Sequence, residues 1–331
     1  MVYPNSAPPE PAGSGGDDPR RTGGEFAAID RIRRLLPAAP PGELWIGDDA
    51  AVVAGTAGHL LLACDLVVAG VHADLALVGL DDLGWKALAV AVSDLAAMGG
   101  LPGRALVAVA GPPSTDLDIL YRGLAAAAAA HGCPVVGGDL SGADQLVVSV
   151  SVSGTVPAGP DEPGPVRRDG ARPGDRLLLT GPIGGSAAGL RILRSGGPRT
   201  SLEEQLALRH RRPRARLVQG DLARRAGVTA MIDISDGLAA DLGHLVEASG
   251  VGFILDHLPL EPGATLEEGL GGGEDYELLM ASPDPDRLRA AFVSAGLSAP
   301  VDIGVCTGDV TDRLLAGSHL EVRGWEHRWE T

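Results

Sequence analysis

The chain has 331 residues, of which 45% are hydrophobic, so it is long enough for about two domains and apolar enough to give each a core. It carries 27 Lys and Arg residues against 43 Asp and Glu residues, and this net charge of −16 argues against binding to nucleic acid or to an anionic membrane surface. The three cysteines are far apart with no CxxC pair, which argues against a disulfide framework or a structural zinc site and is typical of a reducing cytoplasm.

Residues 1–24 are rich in Pro, Gly, Ser and Asp and have almost nothing to bury, so they are predicted to form a flexible tail. They contain no apolar leader segment, and no stretch of the chain reaches the ~18 uninterrupted apolar residues of a membrane span. We therefore expect a cytoplasmic protein without a membrane anchor, whose folded part begins near residue 25.

The first half of the folded chain alternates between helix and strand patterns. Apolar residues recur at helical spacing from Glu25 to Leu36, where Pro37 ends the run. The further predicted helices are Leu80–Met98 and Thr115–Ala130, the latter capped by Ser114 or Thr115, and the predicted strands are Ala51–Val53, Leu60–Ala63, Leu106–Ala110 and Gln145–Ser153. These elements define a predicted first domain at residues 25–156.

The segment from Pro157 to Gly174 contains repeated prolines and is predicted to be a surface crossing. A second series of elements follows. Its predicted strands are Arg176–Thr180, Ala230–Ile234, Gly252–Leu255, Tyr276–Ala281 and Val301–Val305, and its predicted helices are Ser186–Arg194, Arg214–Ala226, Leu238–Ser249 and Asp284–Ala295. The chain is thus predicted to be an α/β (α+β) protein with a second mixed domain at residues 157–331.

Clusters of glycine and acidic residues stand at the ends of predicted elements in both halves of the chain. They are IGDDAA at 46–51, ACD at 63–65, VSDL at 92–95, VGGD at 136–139, IDISDG at 232–237 and GGGEDYE at 271–277. Each cluster alone is typical of a turn or a helix cap. Together they indicate carboxylates that converge on a ligand, and hard oxygen ligands favour Mg²⁺ or Ca²⁺, although no EF-hand loop occurs.

A nucleotide ligand at these carboxylates would require a metal ion. A carboxylate about 4 Å from a phosphate oxygen is repelled by roughly 4 kcal/mol at an effective dielectric near 20. The only lysine, Lys86, is not part of a Walker loop, and no kinase-type GxGxxG loop occurs. The glycine run Thr180–Ser186 lies between a predicted strand and a predicted helix, but it lacks the dinucleotide spacing and is interpreted as structural.

In this order the clusters resemble the thiamine-monophosphate kinase family, of the superfamily that includes aminoimidazole ribonucleotide synthetase and selenophosphate synthetase. The resemblance covers about residues 23 to 331 and runs through GEF at 24–26, IGDDAA, VAGVH, WKALAVAVSDLAAMG, VGGD, VRRDGARPGD, DISDGLAADLGH and GGGEDYELL. It implies ATP-dependent phosphorylation of thiamine monophosphate to thiamine diphosphate, the final step of thiamine diphosphate biosynthesis. It also implies several Mg²⁺ ions and a two-domain fold that forms a homodimer.

The resemblance further implies roles for individual residues. The residues at the magnesium ions would be Asp49, Cys64, Asp65, Asp94, Asp139, Asp233 and Asp236. ATP would contact Tyr121, Gly138, Asp139, Arg168 and Ser235, with Tyr121 against the adenine. The thiamine phosphate would be received by His72, Glu274 and Trp325, and the residues with a catalytic role would be Arg168, Asp139 and Asp236.

The chemistry that the resemblance implies needs no general base, because the nucleophile is already an ionised phosphate oxygen. Catalysis then reduces to positioning and to charge neutralisation by metal and Arg168. Read without the resemblance, Tyr121 is equally an ordinary helix-face residue, His72 a loop histidine with local hydrogen bonds, and Trp325 a C-terminal packing anchor.

One position departs from the family pattern. The family usually has hydroxyl residues just before the aspartate that is Asp65 here, whereas this chain has Ala63 and Cys64. A thiol is a poor ligand for Mg²⁺, so a metal contact at this point would have to come from a backbone carbonyl.

Two alternatives differ from the kinase interpretation. The first is another enzyme of the superfamily, but a hydrogenase-maturation relative would end in a reactive cysteine, and a selenophosphate synthetase would carry an early cysteine or selenocysteine with a lysine. The second is a nucleotide-binding regulatory protein that kept the fold and lost turnover, for which Ala63 and Cys64 are the only motivation.

Overall fold

The computed structural model describes residues 31–40 and 58–321. The predicted tail, the predicted strand Ala51–Val53, Asp49 and Trp325 lie outside these residues. Residues 31–35 are helical, in agreement with the end of the predicted helix Glu25–Leu36. Within the described part, no helix is long and apolar enough to cross a membrane.

The first half of the described chain builds a four-stranded sheet with two helices. The helices are α1 (Leu80–Ala97) and α2 (Leu117–His131), and the strands are β1 (His59–Val68), β2 (Leu101–Gly111), β3 (Val135–Gly142) and β4 (Val147–Val156). The strand order is β1-β4-β2-β3, with β2 and β3 parallel and the other pairs antiparallel. We refer to it as the first sheet.

Strand β4 shows which face of the first sheet is covered by α1 and α2. Val148, Val150 and Val152 are buried in the core that α1 and α2 share, whereas the serines between them point to the other face. The alternation of Val and Ser predicts such a half-buried strand, and the structure confirms it.

Helix α1 lies in the centre of the molecule and is buried along almost its whole length. Leu88 and Leu95 pack in the core of the first sheet, while Ala96 and Ala97 at its end pack in a core of the second half. The close crossing needs glycine at Gly220, where an added Cβ would lie 2.1 Å from the carbonyl oxygen of Ala96. A helix with apolar residues on all its sides is typical of such a buried position, and the buried polar residues of α1 are paired with groups of the second half.

The second half builds a seven-stranded mixed sheet, the second sheet. Its strands are β5 (Arg176–Leu179), β6 (Ala230–Asp233), β7 (Gly252–Leu255), β8 (Leu278–Ser282), β9 (Val301–Thr307), β10 (Arg313–Leu315) and β11 (Ser318–His319), in the order β11-β10-β7-β9-β5-β8-β6. Its helices are α3 (Gly185–Arg194), α4 (Ser201–Arg211), α5 (Leu217–Ala226), α6 (Leu238–Ser249), α7 (Leu266–Gly271) and α8 (Pro285–Ser294). Helix α6 packs on one face of this sheet, and α5 and α8 pack on the other.

The predicted strands and helices within the described residues are confirmed, with shifts at their ends. One capping residue is corrected. The N-cap of α2 is Asp116, whose side chain accepts a hydrogen bond from the amide of Ile119 at 3.1 Å, and not Ser114 or Thr115. The crossing between β4 and β5 contains neither helix nor strand, as the prolines predict.

Some elements of the structure are missing from the sequence prediction. Strand β3 contains Gly137, Gly138 and Asp139, which are turn-forming residue types. Gly138 is required there because a Cβ would lie 1.8 Å from the carbonyl oxygen of Val107 on the adjacent strand. Helices α4 and α7 were also not predicted, although each begins with a capping box, at Thr200 and at Thr265.

Candidate active site

Three buried or half-buried carboxylates from different elements meet beside the second half of α1. Asp65 lies on β1, Asp94 lies on α1 and Asp233 ends β6. The carboxyl groups of Asp65 and Asp94 lie close enough to change each other's pKa. The hydroxyl of Ser93 donates to Oδ2 of Asp233 at 2.6 Å. The structure thus brings three predicted metal ligands into one acidic cluster, to which both halves of the chain contribute.

The pKa values of this cluster show that its charges repel one another. The pKa of Asp94 is raised to about 7, mainly by burial and then by the charges of Asp233 and Asp65, while the charge of Arg168 opposes the rise. Burial also raises the pKa of Asp65, with Asp233 adding to it, and burial is the main cause of the raised pKa of Asp233. A nearby cation would stabilise the ionised form of these carboxyl groups.

The donor set of the acidic cluster fits Mg²⁺, because all its side-chain donors are hard oxygens. Across residues 31–40 and 58–321, however, no three His, Cys, Asp or Glu side chains are already arranged around one point for a metal ion. A divalent cation bound at the cluster would offset the charge repulsion that contributes to the raised pKa values of Asp65 and Asp94.

The loop after β6 carries Ser235 and Asp236, and a residue absent from the sequence prediction fixes it. Oδ2 of Asp241, in the first turn of α6, accepts hydrogen bonds from the amides of Ser235 at 3.0 Å and of Asp236 at 3.1 Å. Burial raises the pKa of Asp241 to about 8, and the charges of Asp233 and Asp236 add to the rise. The sequence signal that could have identified Asp241 is its place in the motif DISDGLAAD, where it is the third aspartate and lies one helical turn into α6.

Replacing Asp241 by alanine is expected to leave the amides of Ser235 and Asp236, in the loop after β6, without their acceptor. The expected loss is at least about 2 kcal/mol in the free energy of unfolding, since each of the two unsatisfied amides costs roughly 1–3 kcal/mol. Weaker binding of an ATP analogue is also expected. Chemical denaturation and calorimetry measure the two effects. Asp241→Asn keeps a carbonyl acceptor and serves as the control, and equal losses in both variants would contradict the role of these hydrogen bonds.

The glycine and acid loop at 271–277 is held against the loop after β6. The amide of Glu274 donates to the carbonyl of Ser235 at 2.8 Å, and the amide of Tyr276 donates to the carbonyl of Ile234 at 2.9 Å. Glu274 and Tyr276 have positive φ angles of 57° and 51°, which side-chain-bearing residues rarely adopt. These bonds place Glu274, a predicted substrate residue, directly beside Ser235, a predicted ATP residue.

The buried phenol of Tyr276 shows how closely the acids of the two loops approach one another. Burial raises the pKa of Tyr276 well above its usual value, and the rise is increased by the charges of Glu274, Asp233, Asp65 and Asp236. The acidic cluster and Glu274 are therefore close enough for their charges to act on the same phenol.

The glycine run before α3 is engaged by a carboxylate of the protein itself. Asp275 accepts hydrogen bonds from the amides of Gly184 at 2.6 Å and of Ser186 at 3.1 Å, at the N-terminus of α3. The interpretation of this run as structural glycine is confirmed, because its amides bind Asp275.

Tyr121 and Asp139 form a second group. Tyr121 lies on α2, and Asp139 lies on β3, the edge strand of the first sheet. Burial raises the pKa of Tyr121, and the charge of Asp139 adds to the rise. Asp139 follows Gly138 on β3, where close pairing with β2 fixes the backbone. The structure thus places two predicted ATP residues near each other.

Arg168 projects from the crossing between β4 and β5, next to the acidic cluster. Its backbone carbonyl accepts a hydrogen bond from the hydroxyl of Ser249 at 2.8 Å, while its side chain is exposed. A cavity of about 520 Å³ is lined by Arg168, Asp94, Ala63 and Met98, among others. This volume is typical of small-ligand sites.

Two predicted site residues of β1 and its following loop have local contacts. The thiol of Cys64 accepts a hydrogen bond from the hydroxyl of Ser151 at 3.3 Å, on the face of β1 opposite to Asp65. Adjacent residues of a strand point to opposite faces, so the thiol lies apart from the carboxylates. Nδ1 of His72 accepts a hydrogen bond from the amide of Val68 at 3.0 Å, which places the proton of a neutral ring on Nε2.

Comparison with known proteins first defines the class. Residues 47–156 match the family described as AIR synthase related protein, N-terminal domain, and residues 172–316 match AIR synthase related protein, C-terminal domain. The two mixed domains predicted from the sequence are thus those of AIR synthase related proteins.

Individual relatives show which family of this class the chain resembles. The chain is 33% identical over 326 residues to thiamine-monophosphate kinase of Aquifex aeolicus, covering 92% of this chain and 98% of that protein. A crystal structure of thiamine-monophosphate kinase from Stenotrophomonas maltophilia matches with a TM-score of 0.76 and 31% identity, over 89% of this chain and 98% of the other. A structure described as AaThiL complexed with AMPPCP and TMP matches with a TM-score of 0.72 and 34% identity, over 92% and 97% of the two chains. The chain belongs to the thiamine-monophosphate kinase family.

Proposed function

We propose that this protein transfers the γ-phosphoryl group of ATP to thiamine monophosphate and forms thiamine diphosphate. The observation that carries the proposal is the acidic cluster of Asp65, Asp94 and Asp233, built by both halves of the chain and joined to Glu274 through the loop at 271–277. The complex of AaThiL with AMPPCP and TMP supports it, because that relative holds both kinds of ligand in a similar fold.

ATP would lie between Arg168 and the acidic cluster. Asp65, Asp94, Asp139, Asp233 and Asp236, together with Asp49 outside the described residues, would hold several Mg²⁺ ions. When bound, these ions supply neutralisation of the triphosphate charge. Arg168 adds a cation on the open side of the cavity, the amide of Gly138 and the hydroxyl of Ser235 bind phosphate oxygens, and Tyr121 packs against the adenine.

The acceptor would lie on the side of Glu274. His72 donates from Nε2 to the phosphate of thiamine monophosphate, Glu274 accepts from the amino group of the pyrimidine, and Trp325 offers a flat face to the cationic ring. The acceptor oxygen is already ionised, so the residues orient it in line with the γ-phosphorus, and no phosphoenzyme forms.

A panel of acceptors tests the proposal. ADP release is measured with thiamine monophosphate, with thiamine and with other phosphate monoesters, and we expect turnover with thiamine monophosphate alone. ATP hydrolysis that does not depend on thiamine monophosphate would favour another enzyme of the superfamily. Binding of ATP with Mg²⁺, but of no thiamine monophosphate at millimolar concentration in calorimetry, would favour the regulatory protein.

We also propose a homodimer formed by the face of the first sheet that is opposite to α1 and α2. Leu60, Leu62 and Leu66 are 60%, 74% and 50% exposed along β1, and Leu106 is exposed on β2. The side chains of β4 between these strands are serines, which are small, so the leucines of β1 and β2 stand out from this face. A contiguous apolar face of this kind is typical of an interface, and a second copy provides a matching one.

Replacing Leu62 by aspartate is expected to convert the dimer into a monomer, because two like charges would be buried near the symmetry axis. Analytical ultracentrifugation at micromolar concentration measures this. Val293→Asp is the control, since Val293 is 61% exposed on α8, away from the first sheet. A monomeric wild-type protein, or a Leu62→Asp variant that stays dimeric, would rule out this interface.

A further inference from the structure

Lys86 is the only lysine of the chain, and it is almost completely buried. Its side chain is 1% exposed, and its Nζ donates to both carboxylate oxygens of Glu274, at 2.9 Å and 3.1 Å. The side chain of Glu274 is 28% exposed. The ammonium group therefore lies behind the carboxylate, and a ligand that reaches Glu274 approaches from the other side.

Helix α1 connects this ion pair with the acidic cluster. Lys86 and Ser93 are seven positions apart, which is close to two full turns, so they share one face of the helix at a spacing of about 10.5 Å. Lys86 bonds Glu274, and Ser93 bonds Asp233. One helix of the first half thus fixes two acidic residues of the second half at a set distance.

Lys86 and His210 both lie next to the carboxylate of Glu274, and Lys86 is the charged one of the two. Nδ1 of His210 lies 3.4 Å from Oε2 of Glu274 and 3.1 Å from the hydroxyl of Ser186. Burial lowers the pKa of His210 to about 4, and the charge of Lys86 contributes, so the imidazole is neutral near pH 7. Lys86 and His210 engage both oxygens of Glu274, but a carboxylate has about four acceptor positions, so it can still accept from a ligand.

We propose that Lys86 is a positioning residue that orients the carboxylate of Glu274 toward the amino-substituted ring of the acceptor. This inference rests on the proposed function, since it assigns the recognition of thiamine monophosphate to Glu274. The buried ion pair fixes the carboxylate in a loop whose backbone is already constrained at a positive φ. Lys86 does not touch the substrate and acts through Glu274.

The test compares Lys86→Met, Glu274→Gln and the double variant Lys86→Met/Glu274→Gln. We expect Lys86→Met to raise the KM for thiamine monophosphate about tenfold and to change the KM for ATP less than about twofold, because the ATP side is held by other residues. The double variant should have the KM of Glu274→Gln alone, since a residue that acts through another adds nothing when that partner is absent. Arg176→Met is the control, because Arg176 pairs with Asp302 and Asp256, remote from Glu274.

Several outcomes would overturn the inference. They are an unchanged KM in Lys86→Met, equal changes in both KM values, or a double variant whose KM is the product of the single effects. If Lys86→Met alone does not fold, the double variant, which leaves no unpaired charge, is compared with Glu274→Gln by calorimetry, and equal Kd values for thiamine monophosphate support the inference. A wild-type protein without kinase activity refutes the proposed function and this inference together, whereas an active wild type with an unchanged Lys86→Met refutes the inference alone.

Discussion

Asp236→Asn is expected to lower kcat by at least about a hundredfold and to raise, not lower, the stability of the protein free of Mg²⁺ and nucleotide. The charge of Asp236 acts on Asp233, Asp241 and Tyr276, whose pKa values are raised mainly by burial and further by this charge. Removing the charge relieves repulsion in the free protein. In the complex, the same change removes a carboxylate that would neutralise a metal ion beside the triphosphate.

Steady-state kinetics and thermal melting measure the two effects on the same sample. Asp286→Asn is the matched control, because Asp286 is 91% exposed and pairs only on the surface with Arg289. Retention of more than about a tenth of kcat, a loss of less than roughly 1.4 kcal/mol in transition-state stabilisation, would contradict the metal role of Asp236.

Arg168→Gln is expected to lower kcat/KM for ATP by about a hundredfold, the usual effect of removing one donor to a developing negative charge. Arg168 lines the cavity beside Asp94. Burial raises the pKa of Asp94 and the charge of Arg168 opposes the rise, so the free protein should also become less stable at pH 8, where the carboxyl group of Asp94 is ionised.

The adjacent arginine provides the control for this variant. The side chain of Arg167 is 70% exposed and pairs with Asp169 at 2.5 Å, and its backbone carbonyl accepts the hydrogen bond from the amide of Met231. Arg167 lines the same cavity, but its guanidinium is paired with Asp169, so Arg167→Gln should lower kcat/KM much less than Arg168→Gln. Equal losses in both variants would show that the segment, and not Arg168 itself, is what matters.

The fold was largely predictable because its elements have strong local patterns. The Val and Ser alternation of β4 and the long apolar run of α1 each predict one kind of element, and the structure confirms both. Strand β3 was missed because its stability depends on Gly138 approaching Val107, which is a tertiary contact. Helices α4 and α7 have weak apolar patterns, and only their capping boxes predict where they begin.

The residues of the candidate site that lie within sequence motifs were predictable. Asp65, Asp94 and Asp233 lie in such motifs and meet in the structure. The partner of Glu274 was not predictable in this way, because Lys86 is 188 residues away along the chain. A buried lysine reveals its role only when the carboxylate that faces it is known, and the same holds for the two amides that Asp241 binds.

Transfer of label from ATP carrying a radioactive γ-phosphoryl group tests the central claim most directly. The protein is mixed with labelled ATP, Mg²⁺ and thiamine monophosphate for a single turnover, and the products are separated after quenching. We predict that the label appears in thiamine diphosphate, in an amount equal to the ADP formed, with none bound to the protein. Label in free phosphate, or label attached to the protein, would contradict direct transfer between the two substrates.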